Sequence, residues 1–168
     1  MAENRSIMNP ALRQAAQTSS SMVLTFHEIF TKVNNAKDKT KKVELLRHYD
    51  SPAMRQVLKG AFDPKIKWDL PKGTPPYIEN EAPLGTEHTY LDQEAKRLWH
   101  FVIGADNNLT KVKKETLFIQ MLEGLSADEA KLLIGVKEKN LNNLYKGLTS
   151  AVVKESFNWN DDYVKIET

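Results

Sequence analysis

The 168-residue chain contains no cysteine, which excludes disulfides, thiolate metal sites and cysteine nucleophiles and fits a reducing cytosol. No run approaches the roughly 20 apolar residues needed to cross a bilayer, and residues 1–21 lack the unbroken apolar core of a signal peptide. The chain also has no large net charge, because it contains 24 Lys and Arg and 22 Asp and Glu. We therefore predict a cytoplasmic protein without membrane contact, in which only a local basic patch could bind nucleic acid.

Motifs of the common catalytic and cofactor sites are also missing. The four histidines are scattered, with no HExxH and no pair at metal-ligand spacing, so we interpret each as a surface or structural residue. No GxGxxG or GxxxxGK loop is present. Glu79 and Glu81 could pair as acid and base, but a solvated loop explains them because no nucleophile or cation lies nearby in sequence. We predict a protein that is not an enzyme and binds no metal and no cofactor.

Apolar residues at helical spacing are what the sequence does contain. They recur in several segments, such as Phe26, Ile29, Phe30 and Val33, and no convincing alternation of period two interrupts them. A chain of this length can bury about 70% of its unfolded surface, which is enough for one self-sufficient core. We predict an all-α protein, a compact bundle of about six or seven short helices.

Composition divides the chain into three parts. Residues 1–21 are polar and end in Thr-Ser-Ser-Ser, which predicts a disordered or mobile tail. Residues 22–160 are predicted to form the single helical domain, and residues 161–168 a C-terminal tail.

Capping signals predict where several helices begin and end. The segment TFHE at Thr25 is a capping box, and Ser51 before a proline suits the N-cap of another helix. Gly60 is predicted to end the helix that follows Ser51. Thr89 is predicted to cap a helix over residues 89–104. The apolar side of that helix would hold Leu91, Ala95, Leu98, Trp99 and Val102.

Two stretches, MLEGLSADEAKLL and NLYKGLTSAVVKE, share a Gly-Leu pair followed by a hydroxyl residue. Gly124 and Gly147 are each predicted to end a helix in the left-handed conformation, while Ser126 and Thr149 cap the next one and Glu129 completes a second capping box. The helix that ends at Gly124 is predicted over residues 111–123. Its inward-facing residues would be Val112, Leu117, Phe118, Met121 and Leu122. Two copies are too few for a solenoid, so we interpret the repeated pattern as a structural signal that ends one helix and begins the next.

An irregular arm is predicted over residues 63–88, where five of the seven prolines and two of the seven glycines disfavour long helices. The arm is also too apolar for a free loop. Rigid apolar side chains with low ordering entropy are typical of recognition surfaces. The candidate partner-binding residues are Trp68, Leu70, Pro75, Pro76, Tyr77 and Ile78. The alternative is that the arm only covers the core of its own domain.

A basic cluster is the candidate for nucleic-acid binding. A helix-turn-helix over residues 111–157 is disfavoured because Asp128 and Glu129 stand at the helix end that would meet phosphate. The better candidate residues are Lys32, Lys37, Lys39, Lys41, Lys42 and Arg47, joined by Lys111, Lys113 and Lys114. The alternative is a solvated basic face, since no aromatic residues interleave to form a stacking platform.

The most distinctive segments are FDPKIKWDLPKGTPPY, EAKRLWHF, FIQMLEGL and YKGLT. Through them the chain, from about Phe26 to Trp159, resembles a family of uncharacterised proteins of contractile-tailed phages, including phages of marine cyanobacteria. In the relatives a short basic segment leads into the YKGLT-like piece, whereas residues 140–143 are uncharged here. The resemblance implies a phage gene product that acts in the bacterial host cytoplasm or is packaged in a virion, and it implies no activity or catalytic residue.

Three functions stay open at this point. The leading hypothesis is a non-enzymatic binding or regulatory protein that engages a phage or host protein during infection, in replication, recombination or transcription. The second is a weakly sequence-specific nucleic-acid-binding protein that uses the basic cluster, and the third is a minor virion component. The sequence does not predict an oligomeric state.

Overall fold

The computed structural model describes residues 23–83 and 87–166, and the regular elements within these residues are helical. The predicted tail over residues 1–21 lies outside the described residues. The α-helices are α1 Phe26–Asn35, α2 Lys39–His48, α3 Pro52–Phe62, α4 Leu91–Glu94, α5 Lys111–Gly124, α6 Ala127–Lys137, α7 Leu141–Leu144 and α8 Ser150–Phe157, and a 3₁₀ helix spans Ala95–Phe101. The all-α prediction is confirmed, and the described helices outnumber the expected six or seven because α4 and α7 are only four residues long.

Side-chain caps begin most of these helices where the sequence predicts them. The hydroxyl oxygen of Thr25 accepts a hydrogen bond from the Glu28 N–H at 3.2 Å, and the Glu28 carboxylate accepts one from the Thr25 N–H at 2.8 Å, so the capping box at α1 is confirmed. Single caps of the same kind begin the helices α2, α3, α5, α6 and α8, at Asp38, Ser51, Thr110, Ser126 and Thr149. Local sequence thus determines these helix starts.

Helix α6 lies at the centre of the bundle. It packs against α1, α3, α5 and α7, while α2 packs against α1 and α8. Seven of its eleven residues are buried, including the polar pair Glu129 and Lys137. A helix that is buried on most sides carries no clear apolar stripe, which is why its sequence reads as a mixture of apolar and charged residues.

The predicted helix over residues 89–104 is wrong in both its start and its end. Helix α4 begins at Leu91 without a side-chain cap, and the Thr89 hydroxyl instead donates to the Glu94 carboxylate at 2.7 Å. The chain then tightens into the 3₁₀ helix, which ends before Val102 because Val102 forms an isolated β-bridge with Trp68 of the arm. Trp99, predicted to face inward, is 49% exposed.

Three glycines were predicted to end helices, and none does so by the expected conformation. Gly60 lies inside α3, where a Cβ atom would come 2.7 Å from Cζ2 of Trp68. Gly124 is the last residue of α5, as predicted, but neither Gly124 nor Gly147 is in the left-handed region. Gly147 instead allows α1 to approach closely, because its N–H donates to the Asn34 side chain at 2.6 Å and a Cβ there would lie 3.1 Å from the Asn34 carbonyl oxygen. Close packing, rather than backbone conformation, requires glycine at positions 60 and 147.

The packed chain continues past residue 160. The Trp159 and Tyr163 rings are both buried, with their centroids 6.1 Å apart in an edge-on arrangement. A β-bridge joins Trp159 to Lys165. Residues 160–166 therefore form a short, mostly exposed turn that is attached to the core through Tyr163.

Candidate functional site

The first half of the arm is fixed to the helical bundle by backbone pairing. The N–H of Asp69 donates to the Phe101 carbonyl oxygen at 2.6 Å, and the N–H of Ile103 donates to the Lys67 carbonyl oxygen at 2.8 Å. Trp68, between these two bonds, donates its indole N–H to the Gly60 carbonyl oxygen at 3.2 Å. This part of the arm covers the core of its own domain.

Two buried lysines hold the arm from the helices beneath it. Lys114 of α5 donates to the Asp69 carboxylate at 2.9 Å, and this bond holds the pKa of Asp69 below its usual range. Lys137 of α6 donates to the carbonyl oxygens of Pro71 and Gly73 at 2.8 and 2.7 Å. Lys137 also pairs with Glu138, whose carboxylate accepts from the Gly73 N–H at 2.8 Å. The chain from 69 to 73 is thus tied down by charged groups as well as by packing.

The second half of the arm lies along α5 and exposes part of its apolar surface. The Tyr77 ring is partly buried against the core, and this burial raises the pKa of its hydroxyl. Ile78 is 79% exposed although its N–H donates to the Glu123 carboxylate at 2.8 Å. Glu79 lies 3.6 Å from the ammonium group of Lys131. The backbone is therefore positioned while the Ile78 side chain faces solvent.

A cavity of about 350 Å³ opens between the arm and α5, and we call it the arm cavity. Its arm side runs from Leu70 to Pro76, and its helix side includes Val112, Phe118 and Ile119. Val112 is 71% exposed at the rim. The cavity is near the lower end of the volumes typical of small-ligand pockets, and it has room for one or two apolar side chains of a partner.

The six residues predicted for partner binding are thus divided between two roles. Trp68, Leu70 and Tyr77 are partly buried and pack against the core. Pro75 is half-buried at the arm cavity, and Pro76 and Ile78 are exposed. Sequence reasoning missed the contribution of α5. The prediction that Val112 faces inward is wrong. Val112 lies on the first turn of α5, before the continuous apolar stripe begins, and this position is the sequence signal that could have indicated its exposure.

The predicted basic cluster is partly used within the chain. Lys39 forms an ion pair with Glu155 at 2.9 Å, and Lys42 donates to the Ala36 carbonyl oxygen at 2.7 Å. Arg47 donates to the carbonyl oxygens of Glu155 and Ser156 at the end of α8, at 2.9 and 3.0 Å. Lys32, Lys37 and Lys41 are exposed, and Lys39 and Arg47 are also exposed despite these contacts, whereas Lys42 is partly buried. Of the lysines expected to join them, Lys111 and Lys114 instead approach Asp69 of the arm.

Glu129 does not complete a second capping box, although Ser126 accepts from its N–H as predicted. Its carboxyl group is fully buried and joins two helix starts, accepting from the N–H of Phe26 in α1 at 3.2 Å and from that of Leu91 in α4 at 2.9 Å. Burial raises the pKa of Glu129 to about 7, the two N–H groups oppose that shift, and Asp92 adds to it. The Glu129 side chain therefore faces the interior, whereas Asp128 in the same turn of α6 is exposed.

Two histidines have carboxylate neighbours, and both contacts connect structural elements. His27 shares a hydrogen bond of 2.7 Å with the Tyr145 hydroxyl, and its other ring nitrogen lies 3.5 Å from Asp128. Burial raises the pKa of Tyr145, so this hydroxyl keeps its proton at neutral pH. His100 bonds to Asp106 at 2.7 Å and holds the pKa of that carboxyl below its usual range.

Lys137→Met is expected to release the arm while leaving the helices folded. Methionine fills a similar volume but donates no hydrogen bond, so the Pro71 and Gly73 carbonyls and the Glu138 carboxylate lose their shared donor. Amide hydrogen exchange at residues 69–78 should accelerate at least about tenfold, with little change in α3 and α8. The matched control is Lys41→Met, because Lys41 is an exposed lysine of α2. Equal protection in both variants would show that Lys137 does not anchor the arm.

Comparisons with known proteins identify a family but no activity. A protein family described as a family of unknown function, DUF6433, matches residues 29–143. No curated protein and no solved structure matches the chain. Within the described residues no three histidine, aspartate or glutamate side chains gather as metal ligands, and no helix is both long and apolar enough to span a bilayer.

Proposed function

The chain belongs to DUF6433, a family of unknown function, and we propose from its structure that it is a non-enzymatic protein that binds another protein through the arm and α5. The arm cavity of about 350 Å³, next to solvent-facing Ile78, is the observation that carries the proposal. Pockets that accept an apolar anchor residue are typical centres of protein interfaces. The partner would insert one or two apolar side chains between the arm and α5.

The arm is suited to binding because its backbone is positioned before a partner arrives. Lys137 and Glu138 hold residues 71–73, and Glu123 holds Ile78. Pro75 and Pro76 further restrict the chain between these anchors. Binding at this surface would therefore cost little conformational entropy, which favours affinity.

We place the partner among phage or host proteins and the interaction in the bacterial cytoplasm during infection. Support comes from the resemblance of FDPKIKWDLPKGTPPY and its neighbouring segments to uncharacterised proteins of contractile-tailed phages. Replication, recombination and transcription are the processes in which a small binding protein of this kind would act. Recovery of the chain in purified particles at a fixed copy number would instead identify a virion component.

Val112→Asp and Ile78→Asp are each expected to weaken partner binding at least about tenfold, because aspartate places a charge against an apolar anchor of the partner. The affinity should be measured with the partner that co-purifies from infected cells. Both side chains are exposed, so folding should be preserved, as judged by an unchanged circular dichroism spectrum and unfolding midpoint.

The matched control is Val23→Asp, since Val23 is 84% exposed, precedes α1 and lies outside the arm cavity. It should leave the affinity unchanged. Equal affinity of the Val112 and Ile78 variants and the wild-type protein would remove the arm cavity from the interface.

A further inference from the structure

A second depression, of about 930 Å³, lies between the C-terminal ends of α3 and α6, the start of α8 and the first half of the arm. We call it the basic cleft. It shares Leu70, Lys72 and Lys137 with the arm cavity, but most of its lining is distinct. Its volume is at the upper end of the range for small-ligand sites, which leaves room for an extended ligand.

The charge of the basic cleft exceeds that of the whole protein. Four lysines and one glutamate line it, a net charge of +3, whereas the full chain has a formal charge of +2. Glu138 is paired with Lys137 and also interacts electrostatically with Lys72, so the lining keeps an excess of three positive charges. Lys67 and Lys72 are exposed. A concave surface with charge of one sign concentrates ligands of the opposite charge.

Lys139 is fixed at the edge of this cleft by an uncommon backbone conformation. Its φ angle is +61°, in the left-handed region that side-chain-bearing residues seldom adopt. The ammonium group donates to the carbonyl oxygens of Gly60 and Asp63 at 2.7 and 2.8 Å. An ammonium group has three N–H donors, so one remains for a ligand. The nearby Asp63 carboxylate is buried, accepts from the Lys65 N–H at 2.9 Å and does not line the cleft.

One wall of the cleft is apolar and partly aromatic. It includes Phe62, Ile66 and Trp68, which are all partly exposed. The indole N–H of Trp68 already donates to Gly60, so its ring contributes only apolar surface. Cationic side chains in the same lining as an aromatic wall match a ligand that carries both phosphate and an unstacked base.

We propose that the basic cleft binds single-stranded nucleic acid, with a phosphate held by Lys67 and Lys72 and an unpaired base packed against Phe62 and Ile66. A duplex keeps its base faces stacked and would leave the apolar wall unused. An acidic peptide would satisfy the lysines but would have no flat group for the wall. A free nucleotide carries the same phosphate and base as one unit of the strand.

The test is fluorescence anisotropy with a labelled 12-residue thymidine oligonucleotide over a series of salt concentrations. Binding at low salt should weaken as salt rises, because phosphate contacts release counterions. Lys67→Glu should weaken binding about tenfold and reduce the log–log salt slope by about 0.7, the value for one lost contact to a single strand. Ile66→Ala should weaken binding about threefold without changing that slope.

Lys32→Glu is the matched control, because it makes the same charge change on an exposed lysine of α1. Equal weakening by Lys32→Glu and Lys67→Glu would overturn the assignment to the cleft, and so would an absence of oligonucleotide binding at low salt. Competition by a poly-glutamate peptide as effective as that by unlabelled oligonucleotide would also overturn it. Thymidine monophosphate that competes as well as the strand would contradict an extended site. Lys67 does not line the arm cavity, so Lys67→Glu should leave capture of a protein partner unchanged.

Discussion

Glu129→Ala is expected to lower the free energy of unfolding by about 2–5 kcal/mol. The carboxyl group is fully buried and accepts the first N–H groups of α1 and α4, which lie 65 residues apart in sequence. Alanine leaves both donors buried without an acceptor, at about 1–3 kcal/mol each, and also leaves a cavity. Chemical denaturation monitored by circular dichroism measures the loss.

The stability contributed by Glu129 should also depend on pH. The pKa of its carboxyl group is about 7 in the folded protein, compared with an ordinary value of 4.5 for a glutamate side chain. Between these values the folded state binds more protons than the unfolded state, so the free energy of unfolding falls as pH rises. The contribution is complete below pH 4.5, is lost as the pH rises through 7 and totals about 3 kcal/mol.

Glu129→Gln isolates this titration because glutamine keeps the shape and one acceptor oxygen but does not ionise. The wild-type protein should be more stable than the variant at pH 5, and the difference should shrink by about 2–3 kcal/mol on going to pH 8. The comparison cancels the titration of the ionisable groups that both proteins share. A difference that stays constant or grows with pH would contradict the buried, proton-binding carboxyl group.

Trp68→Ala is expected to lower the free energy of unfolding by about 2–4 kcal/mol, somewhat less than for a fully buried tryptophan. The indole ring packs so closely over Gly60 that a Cβ atom there would lie 2.7 Å from its Cζ2 atom. The variant also loses the indole hydrogen bond to the Gly60 carbonyl oxygen, which still accepts from Lys139. Urea denaturation would measure this change.

Trp68→Phe is the control for the ring, since it keeps most of the apolar surface and removes the N–H donor. It should cost about 1 kcal/mol. A Trp68→Ala variant as stable as the wild-type protein would mean that the first half of the arm is not held against the core. Because the alanine change disturbs folding, loss of partner binding in that variant would not locate an interface, and Ile78 and Val112 are the better positions.

Helix starts could be predicted from sequence because their causes are local. Thr25 and Glu28 lie three residues apart, and each bonds to the backbone of the other. The same spacing at Ser126 and Glu129 predicted a second box, yet the Glu129 carboxylate bonds to residues 103 and 38 positions away. Spacing reveals that a side chain can reach a local donor, but it does not reveal distant donors that compete for it.

The arm was predicted in position and character, but its division into a covering half and an exposed half depends on tertiary contacts. Lys137 appears in sequence as an ordinary charged residue near a helix end, whereas in the fold it is buried and bonds to the arm backbone. Gly60 was interpreted as a helix end because glycine is common there. Its actual role is to accommodate the Trp68 ring, a residue eight positions further along the chain.

Site-specific photocrosslinking at position 78 tests the central claim most directly. A photoreactive amino acid in place of Ile78 would be activated in infected cells, with the same residue at Val23 as the control position. The account predicts one dominant crosslinked protein from position 78 that is absent from position 23 and is lost when Val112→Asp is added. No crosslink from position 78, or the same products from both positions, would contradict a protein-binding role for the arm and α5.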